Sequence, residues 1–178
     1  MKEYIQGIIR TSKFDPKFTP VTTIHQTADF INRPHEDYPT RVAVTNEMIQ
    51  LLLDYLNPDT SYSQEQVSRI TESEVLHIHN KVMPELYFEV TEHKYRRILV
   101  HPNGGAKDTY FDPVQIQDGM NQILPINLED VKTNQDLIDW YHCFQIIHPF
   151  KDGNGRVGGI VVAAVSKLLF GKFLAPHQ

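Results

Sequence analysis

The chain has 178 residues, of which 40% are hydrophobic, 22% charged and 10% aromatic. That is the composition of an ordinary globular domain and excludes a disordered, collagenous, coiled-coil or low-complexity chain; one domain of this length buries roughly 70% of the surface its unfolded form exposes. Lys and Arg total 17 against 22 Asp and Glu, a net charge of −5, which argues against nucleic acid as the partner, since a protein that holds a phosphate backbone carries a basic stripe.

The single cysteine, Cys143, rules out an internal disulfide and a cysteine-built zinc site. Residues 1–7 hold no apolar run of the kind a signal peptide needs, and the longest apolar stretch, 160–170, is broken by Ser166 and Lys167. No membrane contact and a reducing, cytoplasmic setting are expected, whether in the cell of origin or after delivery into a host.

In chain order, residues 1–44 hold Pro16, Pro20, Pro34 and Pro39 without clear periodicity and predict an extended arm or wrapping segment, with a short helical turn near 27–32. The main domain is expected over 45–178. Met48, Ile49, Leu52, Leu53 and Leu56 recur at helical spacing until Asn57-Pro58. Two capping-box signatures follow, Ser63-x-x-Gln66 and Thr71-x-x-Glu74, and predict helices over about 64–70 and 72–83, the second ended by Pro84. Leu86, Phe88 and Val90, then Ile98 and Val100, alternate with polar residues, which predicts a β-hairpin over 85–101.

Asp112, Pro113 and Gln115 are the N-cap, first position and capping-box partner of a helix running to about 124. An amphipathic helix is expected from 133 to about 147. A last one, apolar nearly all round and therefore central, should span about 154–170 with Gly171 as its stop. The fold class is mainly α.

Between the last two helices stands His148-Pro149-Phe150-Lys151-Asp152-Gly153-Asn154-Gly155-Arg156. Pro149 ends the preceding helix. Gly153 and Gly155 permit a tight turn whose amides converge at the positive end of the next helix, a place suited to a phosphate. Asp152 is a hard ligand suited to Mg²⁺, Arg156 can fork onto phosphate oxygens, and His148 can act as a general base. Phe150 is expected to point into the core. Taken singly, each has a plain structural explanation as cap, core group or solvated side chain; their conjunction within nine residues points to phosphoryl chemistry.

The stretch resembles the signature of the Fic (filamentation induced by cAMP) family, His-x-Phe-x-Asp/Glu-Gly-Asn-Gly-Arg-x-x-Arg. Seven of its eight fixed positions are filled, by His148, Phe150, Asp152, Gly153, Asn154, Gly155 and Arg156, a coincidence on the order of one in a billion at typical residue frequencies. The resemblance covers about residues 45–170. It implies a helical bundle with a small β-hairpin flap beside the site, and a protein adenylyltransferase that moves AMP from ATP to a Ser, Thr or Tyr hydroxyl of a target protein with Mg²⁺. In that scheme His148 is the base and Asp152 holds the metal. The backbone of Gly153 to Gly155, with the Asn154 side chain, steadies the transferring phosphoryl group, and Arg156 grips the β-phosphate. Tyr95, Arg96 and Arg97 would belong to the flap, where a target could add as an extra strand. Another donor (UTP, GTP or a phosphocholine donor) and a catalytically silent binding module are the alternatives.

One position departs from the signature. Gly159 stands where the family has its second arginine, which is understood to hold the γ-phosphate and to pair with an inhibitory glutamate. The inhibitory pattern, Ser/Thr-x-x-x-Glu then Gly or Asn, is not matched, because no glutamate here precedes Gly or Asn. A separate regulatory partner would then be needed for control. Close helix packing is an equally good reason for the glycine.

Overall fold

The computed structural model describes residues 1–33, 42–57, 68–100 and 109–177. Within them the elements are α1 (Lys2–Thr11), β1 (Lys17–Val21), α2 (Ile24–Asn32), α3 (Asn46–Leu56), β2 (Arg69–Ile70), α4 (Glu72–Val82), α5 (Tyr87–His93), α6 (Pro113–Ile123), β3 (Ile126–Asn127), α7 (Asn134–Ile147), α8 (Asn154–Phe170) and β4 (Phe173–His177). The fold is mainly α, as the periodicities predict.

The organising element is α8. Val157, Ile160, Val161, Val162, Ala163, Ala164 and Val165 have no solvent exposure, and α2, α3, α4, α7 and β4 pack around the helix. Five of those seven residues are β-branched and indifferent helix formers; burial on every side decides their conformation. Gly171, left-handed at φ 86°, ends the helix. Just beyond, the Ser166 hydroxyl donates to the Ala163 carbonyl and accepts from the Leu174 amide at 2.8 Å, which seats β4 on the helix.

Caps read from the sequence are in place. The Asp112 and Thr71 capping boxes both form, and Thr133 supplies a third at the start of α7.

Three expectations are corrected. Residues 1–44 are not an irregular arm: they hold α1, which packs on α6 and α7, then β1, then α2, which packs on α3, α8 and β4. Their prolines misled because Pro20 lies in a strand with a single partner, where a missing amide proton is tolerated. β1 pairs antiparallel with β4, from Lys17 opposite His177 to Val21 opposite Phe173.

The second correction concerns 64–70. Arg69 and Ile70 form a short antiparallel pair with Asn127 and Ile126, and the fully buried Ile70 is a core residue rather than the end of a helix; residues 64–67, with the Ser63-x-x-Gln66 signature, lie outside the described residues. The third is the hairpin. A 3₁₀ turn, Pro84–Leu86, leads straight into α5. Of the alternating residues there only Val90 is buried, and Phe88 is 82% exposed, so the period of two did not reflect a buried face. No strand lies among the described residues of 85–101, and α5 offers no strand edge to a target.

Candidate active site

The loop between α7 and α8 is held from below. Phe150, 1% exposed, stacks on His79 of α4 with ring centroids 3.8 Å apart. His79 Nε2 donates to the Asp152 carbonyl at 2.9 Å, and burial holds its imidazole below the ordinary range despite that bond. The Asn154 side chain closes a ring with Phe150, accepting from its amide at 3.0 Å and donating to its carbonyl at 2.8 Å. These bonds engage the Asn154 amide group and shape the loop. Gln145 adds a strut, donating to the Asn154 carbonyl at 3.1 Å.

Gly153 makes the turn. Its φ is 88°, and a Cβ there would sit 2.7 Å from Met83 Cγ, so both conformation and space require glycine. Gly155, expected to share that turn, is already helical and would meet nothing closer than 3.7 Å. The first bond of the α8 ladder runs from the Val157 amide to the Gly153 carbonyl, so the amides of Asn154, Gly155 and Arg156 stand ahead of it, at the positive end of the helix.

His148 is the C-cap of α7 in the left-handed region, φ 51° and ψ 62°. That backbone folds the ring back on its own helix, where Nδ1 donates to the Gln145 carbonyl at 3.2 Å. Nε2 is then the proton-accepting nitrogen. Tyr110 lies flat on the imidazole, 3.8 Å between centroids and 6° between planes. Burial pulls the imidazole pKa down to about 4; the nearby Arg96 charge adds to this, while the Gln145 bond and the Asp152 charge oppose it. His148 is therefore neutral throughout the neutral range.

Asp152 accepts from the Gly153 amide at 2.8 Å and has Arg156 Nη2 at 3.7 Å; its side chain is 35% exposed. Arg156 itself is 1% exposed. Its Nη1 donates to the Val42 carbonyl at 2.8 Å and its Nη2 faces the Met83 sulfur at 2.9 Å. The guanidinium is thus buried beneath the turn.

The three residues expected at the flap differ in their surroundings. The Tyr95 hydroxyl donates to Glu72 at 2.6 Å and its ring packs on Phe150; burial and the Glu72 carboxylate push its pKa far up. Burial alone would raise Glu72, but bonds from Lys94, Tyr95 and Gln117 hold it below the usual carboxylate range. Arg96 is 3% exposed and turned toward the end of α7. Only Arg97 is exposed.

Gly159 faces α2: a Cβ there would lie 3.1 Å from Ile31 Cγ1 and 3.4 Å from two further Ile31 carbons. Ile31 belongs to a stretch of α2 with a recognisable spacing. Thr27-x-x-x-Ile31-Asn32 has the spacing of the inhibitory pattern with isoleucine in the glutamate's place. Where that pattern has a charge pair, this chain sets a methyl-rich side chain against a glycine. Asn32 then clamps the Val44 backbone with bonds of 2.9 and 2.8 Å. His79, Gln145 and Tyr110 were missed; nothing local in the sequence marks them, because their partners are supplied by the fold.

A search of curated proteins finds no match to the chain. The family model described as Fic/DOC family matches residues 69–165, from β2 to within α8.

Proposed function

The chain belongs to the Fic/DOC family, a family of AMPylation-type nucleotide transfer, and from that premise we propose that it moves AMP from ATP to a Ser, Thr or Tyr hydroxyl of a protein. The observation that carries the reading is the juxtaposition of His148 with the start of α8. The Nδ1–H bond to Gln145 leaves Nε2 as acceptor, and six residues on α8 begins, its first ladder bond running from the Val157 amide to the Gly153 carbonyl. A hydroxyl in front of Nε2 would lose its proton as it attacks the α-phosphorus; the bond to pyrophosphate breaks, and pyrophosphate leaves with the negative charge.

The amides of Asn154, Gly155 and Arg156 would receive the phosphoryl oxygens, and Arg156 would add its charge from beneath. This is catalysis by position and preorganised dipoles. Among the described residues no group of three or more His, Cys, Asp or Glu could hold a metal ion alone. One partly exposed carboxylate does suit Mg²⁺, which completes its shell with water and phosphate oxygens. Asp152 would hold it, and the bound ion would neutralise charge on the nucleotide.

A different donor is the second reading, favoured by one observation: Gly159 stands in place of the second arginine, and Ile31 lies within 3.1 Å of where its Cβ would be. Incubation with a cell lysate and separately labelled ATP, UTP and GTP tests both. AMP transfer expects label from ATP at the α-phosphate, lost by about 10²–10⁴-fold in His148→Ala while nucleotide binding persists. Unchanged transfer by His148→Ala would remove the proposed base, and label from UTP or GTP alone would select the second reading.

A further inference from the structure

An α-helix leaves its last four carbonyls without partners inside the helix, and α7 finds one for each. The Phe144 carbonyl takes the His148 amide at 2.9 Å, Gln145 takes His148 Nδ1, Ile146 takes the Phe111 amide at 3.2 Å, and Ile147 takes Arg96 Nη2 at 3.3 Å. Past the helix, the His148 carbonyl accepts from Arg96 Nε at 2.6 Å and the Pro149 carbonyl from the Arg96 backbone amide at 2.9 Å. One residue from outside the helix thus holds three consecutive carbonyls around His148. Two further guanidinium donors go to the Ile98 carbonyl at 2.8 Å and to the Phe111 carbonyl.

We propose that Arg96 is the positioning residue of His148. The inference rests on the reading of His148 as base. A left-handed backbone is unfavourable for a residue with a Cβ and persists where its surroundings over-determine it; here the guanidinium fork, rigid and planar, supplies that constraint, with its charge at the negative end of α7. The left-handed backbone turns the imidazole onto Gln145, and that bond fixes Nδ1 as the protonated nitrogen. By clasping Ile98 and Phe111 in the same fork, Arg96 also fixes the strand of chain that lays Tyr110 on the ring. Arg96 is 3% exposed and commits its guanidinium to backbone carbonyls. It acts through His148 alone.

Three measurements test this. In the wild-type chain, nuclear magnetic resonance should show slow rotation of the Arg96 guanidinium, with separately resolved Nη protons; a single averaged signal would overturn the proposal. Long-range proton–nitrogen spectra should show His148 as the Nδ1–H tautomer in wild type and as a mixture in Arg96→Lys, which keeps the charge and loses the fork. With donor and target in hand, Arg96→Lys should lose about 10²-fold in kcat, the scale of a misplaced group, with the KM for nucleotide unchanged. A folded Arg96→Lys chain with the wild-type tautomer and kcat would sink the idea. If that variant does not fold, the wild-type guanidinium spectrum decides. If no donor supports transfer by wild type, the proposed chemistry fails, and the tautomer comparison still settles the role of Arg96.

Discussion

The contact between Gly159 and Ile31 sets up a double-mutant cycle whose outcome follows from three distances. In Gly159→Ala the new methyl group would stand 3.1 Å from Ile31 Cγ1 and 3.4 Å from Cδ1 and Cγ2, in a site where Ile31 is only 2% exposed. The alanine gains about 1 kcal/mol of helix propensity and loses roughly 1–3 kcal/mol to overpacking, a net cost of about 1 kcal/mol. Ile31→Ala alone removes all three crowded carbons and leaves a cavity, at about 2–5 kcal/mol. In the double variant the methyl enters that cavity, so overpacking vanishes and the void shrinks. The two costs should fall short of additivity by about 1–2 kcal/mol, within the range seen for residues in contact. Urea unfolding of the four chains measures this directly. Additivity within about 0.5 kcal/mol would show that α2 does not press on α8 at this point, and the packing explanation for the glycine would fall.

Three further outcomes are expected. Gly159→Arg in the Ile31→Ala background, which removes the three carbons closest to the new Cβ, should bind ATP about 10-fold or more tighter, the worth of one charge-assisted bond, as read by calorimetry; unchanged affinity in a folded variant would mean that position 159 does not reach the nucleotide. Tyr95→Phe should cost about 1 kcal/mol through the half-buried Glu72 bond without altering target preference, so altered preference at unchanged stability would restore Tyr95 to docking. The third is a pH effect. With a folded pKa of about 4 for His148 against roughly 6.5 unfolded, the unfolded chain binds the extra proton between those values. Its contribution is intact above pH 6.5 and falls away toward pH 4, where about 3 kcal/mol is lost; His148→Gln should flatten that part of the stability curve, and an unaltered slope would refute the assignment.

The sequence carried the local grammar of this fold well. Asp112 with Pro113 and Gln115, Thr71 with Glu74, and the all-round apolar run of α8 placed helices correctly because caps and burial patterns are written in neighbouring residues. It carried less where a long-range partner decides. Lys17–Val21 is a strand because β4 lies beside it, and α5 is a helix that buries almost nothing. At the site, residue identities were legible and directions were not. Arg156 turns down to Val42, Asn154 back to Phe150 and Arg96 to His148, each toward a carbonyl that no spacing rule reveals.

The pairing of β1 with β4 has a practical consequence for anyone shortening this chain. The region matched by the family model, 69–165, stops one residue before Ser166, the hydroxyl that seats β4, and begins after all of α1, β1, α2 and α3. Cutting to that span would bare the part of α8 that α2, α3 and β4 now cover, Gly159 against Ile31 included. Removing only one end is little safer, since either strand left alone presents an unpaired edge to its copies and invites association. β1 and β4 work as a single seam, so a fragment meant to test catalysis should retain both.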